Sequence, residues 1–133
     1  MAFELLTPDR ILSAVESALH VRLTSLIAPL PSYINRVFEL QTVEKSRVIV
    51  KFYRPGRWSV DAINQEHRFI ADCSEFEVPV VCPLALTTGT TLGMVEEIPF
   101  ALFPKRAGRQ FEIKDENDWR RVGSLIARVH LAG

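Results

Sequence analysis

The stretch that decides the fold is RVIVKFYRPGRWSVDAINQEHRFI, residues 47–70. It opens with a β-branched and aromatic run from Val48 to Tyr53, which is typical of a strand. Successive side chains of a strand point to opposite faces, so Lys51 shares its face with Ile49 and Tyr53. Both faces are apolar apart from this one ammonium, and an unpaired buried charge is costly. Lys51 is therefore expected to meet a carboxylate or an anionic ligand.

A helix is predicted directly after this strand. The Pro55-Gly56 pair stops the strand. Ser59 is a favoured N-cap, because its side-chain oxygen can accept from the free N–H groups at a helix start, and Asp61 in the first turn suits the helix dipole. The stretch therefore predicts a strand, a tight turn and a helix.

Glu66 is the residue of this helix that is expected to meet Lys51. It lies three residues after Ile63 and four before Ile70, on the stripe that helical spacing turns inward. A buried Lys51–Glu66 pair is predicted, and two interpretations of it stay open. The pair is either a structural salt bridge or a lysine held in place to bind phosphate oxygens, as in kinase folds.

Length and composition indicate one globular domain in the cytoplasm. The chain has 133 residues, of which 47% are hydrophobic, enough for a core of its own. Sixteen basic and sixteen acidic side chains cancel, which argues against a nucleic-acid partner or an anionic membrane. No apolar run reaches the length of a membrane span. Cys73 and Cys82 have neither metal-ligand nor disulfide-framework spacing, so reduced core thiols are expected.

The pattern along the chain predicts an α+β domain with an antiparallel sheet of about five strands and one helix inserted after the third. Besides the Lys51 strand, strands are predicted at 26–30, 37–40, 78–81, 92–98 and 100–103, with Pro99 separating the last two.

Helices are predicted at both ends of the chain. The first starts at Thr7-Pro8-Asp9 and is expected to pack on the outside of the domain or on a partner. The last starts near Asp115 and directs a set of apolar side chains inward. That set is Trp119, Val122, Ile126 and Val129. Because this helix has no polar ending, the chain is expected to be cut rather than finished.

The three histidines are expected to be surface or capped residues. His20, His67 and His130 are far apart in sequence and lack metal-ligand spacing. His67 is expected to point away from Glu66. No metal site is predicted within the chain.

With these elements placed, the sequence resembles the N-terminal lobe of serine/threonine kinases of the stress-response kinase A type. These are relatives of the aminoglycoside phosphotransferases and choline kinases, with a protein-kinase-like fold. The stretches that carry the resemblance are PLPSYINRVFEL (29–40), VIVKFYRPGRWSVDAINQEHRF (48–69), VPVVCPL (78–84), FALFPKRAGRQFE (100–112) and VGSLIARVH (122–130). The resemblance implies transfer of the γ-phosphate of ATP to a serine or threonine hydroxyl, with Mg²⁺ as the metal.

The resemblance also implies roles in phosphate binding. Lys51 is expected to contact the α- and β-phosphates, and Glu66 to orient it. Ser32 is expected in a turn over the phosphates, whose main-chain N–H groups up to Asn35 replace a glycine-rich loop, with help from Arg36.

The adenine site is implied by the same resemblance. Backbone atoms from Phe103 to Lys105, which would link two lobes, are expected to bind the adenine edge. Val50 and Leu102 are the expected walls of the adenine pocket. The implied domains are an N-terminal helical extension (1–25), a nucleotide-binding lobe (26–104), and a linker with the first helix of a second lobe (105–133).

The sequence departs from the family pattern in three respects. It has no G-x-G-x-x-G motif, and Ile34 stands where an acidic residue is expected. The catalytic aspartate and the metal-binding Asn and Asp are expected in a second lobe, so the chain alone is predicted to be inactive. Apolar surface where that lobe docks is expected to allow self-association.

Two alternatives to the protein kinase stay open. One is a non-catalytic binding or regulatory module with this fold. The other is a fragment of a small-molecule kinase of the aminoglycoside or choline type. The phosphate acceptor is accordingly a protein or a small molecule.

Overall fold

The structure, a computed structural model, describes residues 2–32, 34–76, 80–105, 120, 123, 124, 126, 127 and 129–131. Its elements are, in chain order, a short 3-10 helix Ala2–Leu5, helix α1 Pro8–Leu19, strands β1 Leu23–Leu30, β2 Arg36–Thr42 and β3 Arg47–Phe52, helix α2 Val60–Glu75, and strands β4 Gly93–Val95 and β5 Ile98–Pro104. The described residues between 120 and 131 are helical.

The five strands form one antiparallel sheet in the order β1-β2-β3-β5-β4. Strand β3, which carries Lys51, is the central strand. Helix α2 follows β3 and precedes β4. The predicted α+β architecture, with one helix inserted after the third of five antiparallel strands, is confirmed.

The two faces of the sheet are covered differently. On the face that we call the α1 face, Val50 and Phe52 pack with Ile11 and Val15 of helix α1 in the main core. The opposite face, called the Lys51 face, carries the alternate residues of β3. Its smaller cluster centres on Tyr53 and includes Ile63 of α2 and Ala101 of β5. The sheet is therefore sandwiched between α1 and α2.

Helix α1 is part of the main core and not an external attachment. Thr7 caps it by accepting from Arg10 N–H, and Ile11 and Val15 are fully buried. At its other end the Ala18 carbonyl accepts from Thr87 N–H at 2.8 Å, which ties the helix to the loop before β4. The expectation that this helix packs on the outside is corrected accordingly, because it covers one face of the sheet.

The β4–β5 hairpin turns earlier than predicted. The break expected at Pro99 lies at Glu96 and Glu97, which both have positive φ, 49° and 65°. Pro99 lies inside β5, and its carbonyl accepts from Tyr53 N–H at 2.9 Å. This contact falls just beyond the last β3–β5 pair, Phe52 with Phe100. Because the ladder ends there, the N–H that proline lacks is not needed.

Several other predictions differ from the structure in detail. Strand β1 begins at Leu23 rather than at residue 26. Val80 and Val81 are not in a strand, while Val78 lies outside the described residues. Cys73 is buried as expected, but Cys82 is only half-buried; both are free thiols.

The last helix is described only in part. Ile126 and Val129, predicted to point inward, are exposed, so that prediction is wrong for these two residues. Asp115, Trp119 and Val122 lie outside the described part of the chain. Among the helices that the structure describes, none is both long and apolar enough to cross a membrane.

Candidate nucleotide-binding site

Lys51 and Glu66 meet on the Lys51 face, as predicted. The Lys51 Nζ lies 3.9 Å from Glu66 Oε1 and 4.8 Å from the centre of the Tyr53 ring. The pair is not buried, however. The Lys51 side chain is 29% exposed and the Glu66 side chain 48%. Pairs with such exposure contribute about 0–1 kcal/mol, so this contact adds little to stability.

The Lys51 ammonium has donors to spare. It carries three N–H groups, and its distance to Glu66 is too long for a hydrogen bond. Within the described part of the chain it donates no hydrogen bond, and its contacts are the Glu66 carboxylate and the Tyr53 ring. A partly exposed ammonium with free donors, oriented by a carboxylate, fits an anionic ligand such as a phosphate group.

Helix α2 holds Glu66 at this position. Ser59 caps the helix by accepting from Ala62 N–H at 3.1 Å, as predicted from the sequence. One turn further, Ile63 is buried against Tyr53. The cap and this contact fix the first turns of α2 on the sheet beside Lys51.

His67, the residue after Glu66, is buried, which corrects the expectation of a surface or capped histidine. Its Nε2 lies 3.1 Å from Tyr53 Oη, and its Nδ1 lies 2.7 Å from Thr91 Oγ1. Burial lowers the pKa of His67, an effect that nearby Lys51 reinforces and the Glu66 carboxylate opposes. Burial, together with Glu66, raises the pKa of the Tyr53 phenol, so the phenol remains a donor.

The turn that was expected to cover the phosphates is tied to the turn after β3. Asn35 Oδ1 accepts from Arg54 N–H at 3.2 Å, and the Ile34 carbonyl accepts from Arg54 Nε at 3.4 Å. Ser32 is exposed. The two turns that border the end of β3 are thus one connected unit.

Arg36 is directed away from Lys51. In the β2–β3 register it is opposite Phe52, which places it on the α1 face. Its guanidinium lies 5.7 Å from the centre of the Phe3 ring, which Arg54 also contacts at 5.7 Å. The Arg36 guanidinium therefore stacks on the N-terminal segment and does not point toward the Lys51 ammonium.

Val50 and Leu102 do not line the Lys51 face. Both are completely buried in the main core on the α1 face and are paired with each other across β3 and β5. The corresponding pair on the Lys51 face is Ile49 and Phe103, both only partly buried. Val50 and Leu102 therefore lie on the face opposite to Lys51, because neighbouring residues of a strand face opposite sides.

A second charged cluster, which the sequence did not suggest, lies on the same face. Glu39 is opposite Ile49 in the β2–β3 register, and its side chain is 11% exposed. It accepts from Arg47 Nη1 at 2.8 Å and from Lys105 Nζ at 3.1 Å. Lys105 N–H also reaches the Arg47 carbonyl, at 3.5 Å. The segment after β5, where adenine binding is expected, is thus attached to β2 and β3.

The fold and this site together define a class of protein. A five-stranded antiparallel sheet, whose central strand places a lysine next to a glutamate of the following helix, is the arrangement of the N-terminal lobe of kinase-like phosphotransferases.

The comparison with known protein families leads to the same class of protein. The model of the phosphotransferase enzyme family (APH) matches residues 27–133, and the chain belongs to this family.

Curated relatives narrow the comparison. The chain is 41% identical over 131 residues to stress response kinase A of Salmonella choleraesuis. It is 40% identical to the serine/threonine protein kinase RdoA of Salmonella typhimurium and to stress response kinase A of Escherichia coli K12. Each match covers 98% of this chain and 39% of the relative. The resemblance to the stress-response kinase A type is confirmed, and the chain spans about two fifths of the length of these relatives.

A solved structure supports the fold. The amicoumacin kinase hAmiN, determined in complex with AMP-PNP, Ca²⁺ and Ami, matches 99% of this chain with a TM-score of 0.76. The sequence identity is 20%, and the match covers 42% of that kinase. Despite this low identity, the two chains share the arrangement of the sheet and helices.

Proposed function

We propose that this chain is the ATP-binding lobe of a kinase that transfers the γ-phosphate of ATP to a serine or threonine hydroxyl. The observation that carries the proposal is the Lys51–Glu66 contact of 3.9 Å on a partly open sheet face, with donors of the ammonium still free. The name of one relative at 40% identity, the serine/threonine protein kinase RdoA, supports a serine or threonine acceptor.

In this proposal Lys51 binds the α- and β-phosphate oxygens. A phosphate oxygen within about 3 Å of Nζ would accept the hydrogen bond that Glu66 is too distant to take. Glu66 keeps the ammonium in position and stays half in water, so its weak attraction does not compete with the nucleotide. The Tyr53 ring makes a cation–π contact with the ammonium.

The turn before β2 is proposed to contribute to phosphate binding. Main-chain N–H groups from Ser32 to Asn35 are proposed to face the phosphates. Arg36 belongs to this proposal through its main chain only, because its guanidinium is stacked on Phe3.

Adenine is proposed to bind between Ile49 and Phe103. Main-chain atoms from Phe103 to Lys105 would meet its polar edge, and the Glu39 cluster would hold this segment in place. Residues 105–133 would link to a second lobe, which the relatives' greater length leaves room for. That lobe would supply the catalytic aspartate and the residues that hold Mg²⁺, whose charge neutralises the phosphates.

A small-molecule acceptor is the second candidate. It is favoured by the amicoumacin kinase, a kinase of similar fold named for a small molecule. The acceptor, rather than the nucleotide, distinguishes the two candidates.

Lys51→Ala tests nucleotide binding. In titrations of the chain with Mg²⁺ and AMP-PNP followed by NMR, we expect weak binding because half of the pocket is missing. Lys51→Ala should weaken it about tenfold or more, since charge-assisted hydrogen bonds to phosphate are lost. Arg68→Ala, at an exposed position of α2, is the control and should bind as the unsubstituted chain does. Equal binding by the Lys51 and Arg68 variants would contradict the proposal.

Activity is tested in a chimera. Residues 1–133 replace the matching 131-residue segment of the Escherichia coli K12 relative. ATP-dependent phosphorylation of serine or threonine, lost in Lys51→Ala with folding retained, is the expected result. Phosphorylation of a small molecule alone would favour the second candidate, and an equally active Lys51→Ala chimera would rule out the proposed role of the lysine.

A further inference from the structure

One imidazole connects three separate segments next to the proposed nucleotide site. His67 lies on α2 directly after Glu66, Tyr53 follows β3, and Thr91 belongs to the loop before β4. Both ring nitrogens have a hydroxyl within hydrogen-bond distance, and the ring packs edge-on against Phe103 with centroids 6.5 Å apart. Through these hydrogen bonds His67 joins helix α2 to the residue that follows β3 and to the loop before β4.

The hydrogen bonds of this network are complete. A neutral imidazole has one donor and one acceptor nitrogen, and each hydroxyl can donate or accept. Both nitrogens are therefore satisfied without a charge, and in the described part of the chain no buried side-chain polar atom is left without a partner. Buried polar groups of this kind specify one arrangement, because any other leaves a donor or acceptor unpaired.

The position of Glu66 depends on which side of α2 faces the sheet. Neighbouring helix residues are about 100° apart around the axis, so an inward His67 places Glu66 at the side, toward Lys51. The Lys51–Glu66 contact cannot itself fix this rotation, since it is long and half exposed. Near Glu66 the buried side chains of α2 are Ile63 and His67. Of these, His67 makes directional contacts.

We propose that His67 is a positioning residue that, through Tyr53 and Thr91, sets the rotation of α2 and so holds Glu66 against Lys51. The proposal rests on the function proposed above for that pair. His67 touches neither nucleotide nor acceptor. It acts on the site through the glutamate that precedes it.

The test uses variants that remove the contacts one at a time. Thr91→Val and Tyr53→Phe delete single hydroxyls, and Phe keeps the ring below the ammonium. His67→Leu removes both hydrogen bonds, and His67→Gln restores one donor and one acceptor. His130→Leu, at an exposed histidine, is the matched control.

The first measurement does not need a nucleotide. The carboxyl carbon of Glu66 is followed by NMR, with and without Lys51→Met. When Lys51→Met is the only substitution, the Glu66 signal should shift, because the cation next to the carboxylate has been removed. In His67→Leu, and more weakly in Thr91→Val and Tyr53→Phe, the response should shrink by at least half, and His67→Gln should recover part of it. An unchanged response in folded His67→Leu or, where that variant does not fold, in both hydroxyl variants would overturn the proposal.

The second measurement is the affinity for AMP-PNP with Mg²⁺. His67→Leu and Glu66→Gln should each weaken binding severalfold, and the double variant should be no weaker than the poorer single one, because both act through one carboxylate. If the affinity loss of the double variant equals the product of the two single losses, His67 does not act through Glu66. If the unsubstituted chain and Lys51→Ala bind equally, the proposed function fails, while the NMR response still decides the role of His67.

Discussion

Glu39 shows how a nearly buried carboxylate can join segments that are distant in sequence. It holds Arg47 of the neighbouring strand and Lys105 after β5. Replacing one partner of such a cluster leaves the others without compensation. The cluster is therefore expected to stabilise both the sheet and the segment proposed to bind adenine.

Glu39→Gln is expected to lower the free energy of unfolding by about 1–2 kcal/mol, because the charge that holds two cations is lost while the volume is kept. The measurement is urea denaturation followed by circular dichroism. The control is Glu44→Gln in the exposed turn of the same hairpin, with an expected change within about 0.5 kcal/mol. Equal effects of the two substitutions would mean that the cluster does not stabilise the fold.

His67 is expected to make stability depend on pH. Its pKa in the folded chain is below the usual value of 6.5, so the unfolded chain takes up the proton first as the pH falls. The free energy of unfolding is thus highest above about pH 6.5 and decreases below it, by at most about 1.4 kcal/mol per pH unit from one group. Lys51, Glu66 and Tyr53 are the ionisable groups around the ring.

Urea titrations between pH 5 and 8 measure this dependence. The slope below pH 6.5 should be smaller in His67→Leu than in the unsubstituted chain, and unchanged in His130→Leu. Identical slopes in all three chains would show that His67 protonates equally in the folded and unfolded states.

At single positions, the sequence predicted the pair but not the histidine. Glu66 and His67 lie three and four residues after Ile63, and helical spacing makes both compatible with an inward position. The choice depends on hydroxyls 14 and 24 positions from His67, which local periodicity does not include. The placement of Val50 on the same face as Lys51 was, in contrast, an avoidable error. Alternation along β3 already put Ile49, and not Val50, on the face of Lys51.

Among the elements, the β4–β5 hairpin depends on a close contact. A Cβ built on Gly93 would lie closer than 3.0 Å to ring atoms of the buried Phe100, its partner in the register. The missing side chain at Gly93 makes room for this ring.

Gly93→Ala should therefore lower the free energy of unfolding by about 1–3 kcal/mol, as expected for overpacking a buried site. Gly123→Ala is the control, because it lies in a helix with open space around the new methyl group. It should leave stability unchanged or raise it by up to about 1 kcal/mol. The measurement is thermal unfolding of the two variants. A Gly93→Ala variant as stable as Gly123→Ala would contradict the packing argument.

The same hairpin explains an error in the predicted strands. Proline is a strong signal for a strand break, whereas two glutamates with positive φ are uncommon. Strand β5 tolerates Pro99 because the Pro99 carbonyl still accepts a hydrogen bond from Tyr53 N–H. The N–H group that proline lacks would lie past the end of the β3–β5 ladder. The two strands of this hairpin were thus predictable from their apolar runs, but the turn between them was not.

For the whole molecule, the fold class followed from the order of strong local patterns. What the sequence did not reveal is that α1 completes the main core. An apolar helix face indicates burial but not the surface that covers it. Ile11 and Val15 pack in one cluster with Leu40 and Phe52. The sheet and α1 are therefore expected to unfold together.

Ile11→Ala should lower the free energy of unfolding by about 2–5 kcal/mol, the usual cost of a large cavity in a core. Leu5→Ala, at an exposed position, is the control and should cost less than about 1 kcal/mol. Urea denaturation of both variants provides the comparison. A cost for Ile11→Ala as small as that of the control would indicate that α1 is an independent extension, as the predicted boundary at residue 25 proposes.

The two margins of the sheet have a consequence for handling the protein. On one side the outer strand is β1, which contains Pro29, and on the other it is β4, with only three residues. Proline offers no hydrogen to an incoming chain, and so short a strand presents few backbone groups to pair with. Pairing of either edge strand with a strand of another molecule is therefore disfavoured.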